Sequence, residues 1–73
     1  MTKKPTTSRR YRVTLDTDTS HVVTVTWDGG TWTPTDPKSL DGAMTSDGAA
    51  QVAARIIAGR EFARVLFMER EEP

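Results

Sequence analysis

The chain has 73 residues, ten of them basic and ten acidic, and a formal net charge of zero. That length makes one domain, which buries roughly 60% of the surface its unfolded chain exposes and draws only about 3–5 kcal/mol from its core. Cysteine is absent, which excludes disulfides and thiolate metal sites and leaves either oligomerisation or a core that is just sufficient.

Charge is unevenly placed along the chain. Lys3, Lys4, Arg9, Arg10 and Arg12 make the first dozen residues wholly basic, whereas Asp16, Asp18, Asp28, Asp36, Asp41 and Asp47 dominate the middle, opposed by Lys38 alone. Residues 1–8 are polar, contain Pro5 and read as a disordered basic tail. Pro5 to Arg10 is polar where a secretory leader needs an apolar stretch, and the longest apolar run is Val65-Leu66-Phe67-Met68. A cytoplasmic protein with no membrane span is expected. Asparagine is absent while Ala, Arg, Asp, Thr and Val are plentiful, a bias that fits a GC-rich coding sequence such as that of an actinobacterium or its phage.

Residues 9–70 form the expected domain, followed by a solvated end at 71–73. From Arg9 to Leu15 the chain alternates, with Tyr11, Val13 and Leu15 on one side and Arg10, Arg12 and Thr14 on the other, which predicts a half-buried strand. Asp16 to Ser20 is a turn cluster whose side chains bond their own backbone. His21 to Trp27 is the next strand, rich in β-branched residues, with Val23, Val25 and Trp27 on the core face. Asp28-Gly29-Gly30 reverses the chain, because glycine takes positive φ cheaply. Thr31 to Thr33 makes a short third strand, ended by Pro34 and Pro37, and Thr35 to Met44 is a loop.

Ser46 or Thr45 caps a helix predicted over about residues 46–58. Ala49, Val52, Ala53, Ile56 and Ile57 form its apolar face, Asp47 suits its first turn, and Gly59 is its stop. Phe62 to Arg70 contains good helix formers, yet its dense apolar run after Gly59 favours a buried strand. The resulting fold class is α+β, a small, mainly antiparallel sheet with one helix on one face in the order β-β-β-α-β. Tyr11, Val13, Leu15, Val23, Val25, Trp27, Val52, Ala53 and Ile56 are the expected core, with part of the last strand.

No catalytic, cofactor-binding or metal-binding set emerges. His21 is the one histidine and sits beside a turn, without the nucleophile and orienting group that catalysis requires. Asp16-x-Asp18-x-Ser20 opens like a calcium loop, but His21 and Trp27 stand where that loop needs glycine and glutamate. Gly29-Gly30 lacks the lysine and following helix of a phosphate cradle. No small-molecule ligand is evident.

The last strand suggests an interaction surface. Phe62, Leu66 and Met68 are expected on one face and Val65 and Phe67 on the other, and one helix shelters one face only. Val22, Val65 and Phe67 then form an uncovered apolar sheet face for a protein partner or for a second copy of the chain, with Trp32 as an aromatic anchor. The alternative is a nucleic-acid-binding protein that uses Lys3, Lys4, Arg9, Arg10 and Arg12 on phosphates, with Tyr11, Trp27 or Trp32 stacking on bases. The acidic middle and a pI near 6.6 weigh against it.

From Trp32 to Ala53 the pattern resembles the HicB-like antitoxins, which have three strands, a loop with a Pro-x-Leu-x-Gly core, a helix and a fourth strand. The loop here reads Pro37-Lys38-Ser39-Leu40-Asp41-Gly42, one residue longer. Ser46-Asp47-Gly48 stands where the family has Gly-Asp-Thr, and Gln51-Val52 where it has paired glutamates. The resemblance implies a non-enzymatic protein that binds and masks a small RNA-cleaving toxin.

Overall fold

A computed structural model describes residues 7–71. Thr7–Leu15 forms β1, Ser20–Trp27 β2, Trp32–Asp36 β3, Ser46–Arg60 α1 and Val65–Glu71 β4. The strands make one antiparallel sheet in the order β3-β2-β1-β4, and α1 lies on one face of it, so the α+β arrangement read from the sequence is present. Residues 62–70 resolve in favour of a strand, although it starts only at Val65.

Several boundaries differ from expectation, each for a physical reason. β1 starts at Thr7, because Thr7 and Ser8 pair with Trp27 and Thr26 and the Ser8 and Thr26 hydroxyls lie 3.2 Å apart. A polar strand end of this kind has no hydrophobic alternation to reveal it. Thr7 and Ser8 therefore belong to the sheet, while residues 1–6, including Lys3 and Lys4, lie outside the described residues. At the other end Glu71 closes β4 and does not belong to a solvated end.

β3 runs through Pro34 to Asp36 instead of stopping before it. Trp32 exchanges both backbone bonds with Ala43, at 2.9 and 2.8 Å, on the side away from β2. Two residues on, Pro34 faces the same way, so the N–H it lacks is one that β2 does not use. Gly42 lies against this strand so closely that a Cβ there would meet the Thr31 methyl group and come within 3.0 Å of the Trp32 carbonyl.

Thr45 is the N-cap of α1, its hydroxyl accepting from the Gly48 amide at 3.0 Å. The helix continues through Gly59 to Arg60, so Gly59 is an interior residue and not the stop. The left-handed position after the helix falls to Phe62, at φ 53°, and the Ala63 amide then reaches back to the Ala58 carbonyl at 2.9 Å.

The core joins Tyr11, Val13 and Leu15 of β1 and Val23 and Val25 of β2 to Ala49, Ala50, Ala53, Ala54, Ile57 and Ala58 of α1. Val52 and Ile56 are only half-buried, a correction to the expected helix face. The alanines let the helix lie close to the sheet, and the larger side chains are displaced to its flank. Trp27 is also half-buried, because it sits at the end of the sheet beside Trp32, the two rings 5.6 Å apart. Among the described residues, no helix is long and apolar enough to cross a membrane.

Candidate functional site

Directly opposed residues of an antiparallel pair project from the same face, so the register assigns every side chain to a side. Tyr11 opposes Val23 and Arg70, and Val13 opposes Met68, all on the helix side. Arg12 opposes Val22 and Glu69, and Thr14 opposes Phe67, all on the outer side. A register shift between Thr14 and Leu15 makes Leu66 the extra residue of a bulge and brings Val65 opposite Leu15.

The bulge regroups the residues proposed to bind a partner. Val22 and Phe67 lie on the outer face, as expected. Val65 turns to the helix side with Met68, which corrects its expected grouping with Phe67. Trp32 opposes Trp27 and is also on the helix side, half-buried beneath the Arg9 guanidinium, which lies 5.0 Å from its ring centre. Phe62 precedes β4 and points into solvent, 97% exposed, so it does not share a strand face with Leu66 and Met68. The outer face is correspondingly polar. Ser8, Thr26 and Thr35 form a hydroxyl row, and Arg12 bonds Glu71 at 2.7 Å.

Three exposed large apolar side chains lie side by side on β4, while Val22 lies on β2 and Leu40, Met44 and Phe62 lie in connecting segments. Val65, Leu66 and Phe67 are 37%, 61% and 53% exposed, although this strand carries the densest apolar run of the chain. For Val65 the cause is the off-centre helix, whereas Phe67 lies on the face opposite α1. α1 rests mainly over β2 and β3 and barely touches β4, which leaves an open groove of about 790 Å³ between them, lined by Gln51, Arg55, Ala58, Arg64, Val65 and Met68.

The two rims of the sheet differ in a way that no single residue of the sequence announces. The outer side of β3 is closed by the chain's own loop, through the Trp32–Ala43 bonds and the Ser39 amide to the Pro34 carbonyl at 3.2 Å. Along β4, no described segment pairs with the outer side. A sheet edge that carries apolar side chains is a template for another strand.

The basic residues are dispersed. Arg9 points inward and donates to the Ser46 hydroxyl at 3.0 Å, Arg12 is engaged by Glu71, and Arg10 faces Glu71 across the ladder. Tyr11 is buried, not presented for stacking, and donates to Asp47 Oδ1 at 2.5 Å, with the Ser46 hydroxyl 2.7 Å away. Burial and the bond to Asp47 raise the Tyr11 pKa above 10.0. This polar cluster fixes the start of α1 to β1. Sequence periodicity missed it because a buried serine inside a helix has no pattern of its own.

The turn aspartates hold backbone. Asp16 Oδ1 accepts the Arg64 amide at 3.0 Å, and Asp28 Oδ1 accepts the amides of Gly30 and Thr31, each at 3.0 Å. His21 Nε2 lies 2.8 Å from Glu61 Oε2, linking β2 to the end of α1. Among the described residues, no three His, Cys, Asp or Glu side chains gather as metal ligands. Comparison with family models, curated proteins and solved structures finds no match to this chain.

Proposed function

We propose that the chain is a non-catalytic interaction module that binds a protein, or itself, through β4. The observation that carries this reading is the inequality of the two rims: β3 is closed by its own loop, while β4 leaves Val65, Leu66 and Phe67 exposed along an edge with which no described segment pairs. A partner strand laid on β4 satisfies its outward backbone groups and covers those side chains, the mode known as strand addition. Within this reading, the resemblance of Trp32 to Ala53 to the HicB-like antitoxins nominates a small RNA-cleaving toxin as one partner.

The nucleic-acid alternative has weaker support. Arg9 is already engaged by Ser46 and Arg12 by Glu71, and Glu69 and Glu71 stand across from the outer arginines. Binding by this face would set carboxylates against phosphates.

Capture of partners from the native host by the wild-type chain and by Phe67→Asp tests the reading. A stoichiometric partner held by the wild type and lost by the variant, with unchanged circular dichroism, is the expected result. Equal capture by both removes β4 as the docking strand.

A further inference from the structure

Given the docking role proposed for β4, we infer that what it receives is the free C-terminus of a partner protein, laid antiparallel along the strand with its terminal carboxylate between Arg55 and Arg64. The groove beside the edge has one bridged end. Its walls are α1 and β4, and the chain that joins them passes through Gly59, Ala63 and Arg64, all of which line it. β4 then runs back along the helix, because Arg70 opposes Tyr11, whose hydroxyl reaches Asp47 in the first turn of α1.

The dimensions suit an extended chain end. Asp47 and Gly59, which line opposite ends of the groove, are separated by about 18 Å of helix, the reach of about five residues of strand. A strand added to β4 sends alternate side chains to opposite faces. Every second one enters the groove against Ala54, Ala58, Val65 and Met68, and the others lie beside Phe67 on the outer face.

Charge selects a terminus and its direction. The bridged end carries Arg55, one turn before Gly59, and Arg64, the residue before β4, and neither guanidinium is ion-paired among the described residues. The far end carries Asp47 and Gln51. A terminal carboxylate is forked by guanidinium groups at the bridged end and repelled by Asp47 at the other. The bridged end is also the start of β4, so this direction makes the added strand antiparallel, like every other pair in the sheet. An uncharged internal segment leaves both guanidinium groups unmatched. Strand addition and capture of a C-terminal carboxylate are both established modes of peptide recognition.

Two synthetic peptide pools randomised over their last residues test this, one ending in a free carboxylate and the other in an amide. Each is passed over the immobilised full chain, and retained sequences are read by mass spectrometry. The free-acid pool is retained at least about tenfold better, with apolar residues recurring at every second position. Fluorescence anisotropy of one retained peptide gives a second readout: Arg55→Gln and Arg64→Gln each weaken its binding by at least about threefold, and amidation of the peptide abolishes that sensitivity. Equal retention of the two pools, retention of neither, or indifference to both arginine substitutions overturns terminal capture. In any of these cases, host-partner capture that still depends on Phe67 keeps β4 as the docking strand, and capture indifferent to Phe67 removes that role as well.

Discussion

Tyr11 links the sheet to the helix at the scale of one side chain. Its ring fills the core, and its hydroxyl meets Ser46 and Asp47 at the first turn of α1. Tyr11→Phe keeps the ring and deletes both bonds, leaving the buried Ser46 hydroxyl with Arg9 alone. The expected loss is about 1–2 kcal/mol in urea unfolding at pH 7. The same residue sets an alkaline limit. Its folded pKa is raised above 10.0 by burial and by Asp47, so the native state holds the phenolic proton more tightly than the unfolded chain does. The associated stability is complete below pH 10.0 and is lost as pH rises through the raised folded value. Unfolding at alkaline pH should therefore show a decline in the wild type whose Tyr11 component is missing from Tyr11→Phe.

At the scale of elements, α1 shows both what patterning reveals and what it misses. The helix was legible from Thr45, Asp47 and the apolar spacing that follows. Its buried face was legible in part, at Ala49, Ala53 and Ile57, but not at Val52 and Ile56, because a helix rich in alanine is weakly apolar on several sides, and distance to the sheet decides which of them is covered. The stop at Gly59 failed for a related reason: the reversal is made one turn later by Glu61 and Phe62, where a bulky residue takes the left-handed conformation. Gly59 is thus a helical glycine, and a Cβ there meets nothing within 4 Å. Gly59→Ala should stabilise the chain by about 0.5–1 kcal/mol, read as a higher thermal midpoint. The strands tell a similar story. β1 and β2 were plain from alternation, but the bulge at Leu66 that turns Val65 inward depends on pairing with β1. A one-residue shift reverses a side chain's face, and sequence alone carries no ladder.

The whole molecule is a thin two-layer unit whose largest fully buried side chains are Leu15, Val13, Val23, Val25 and Pro34. So modest a core leaves stability sensitive to anything that covers β4. If a partner covers β4, the thermal midpoint rises with partner concentration, by about 3 °C or more per tenfold step above the dissociation constant, and Phe67→Asp shifts that rise to higher concentration. Calorimetry at several concentrations gives the measurement. The sealed rim also limits how far assembly can proceed. A sheet adhesive along both margins would recruit copies without end and grow into a filament. With Pro34 and its loop blocking one margin, any strand added along β4 would leave no second margin for a further copy, so growth would stop there.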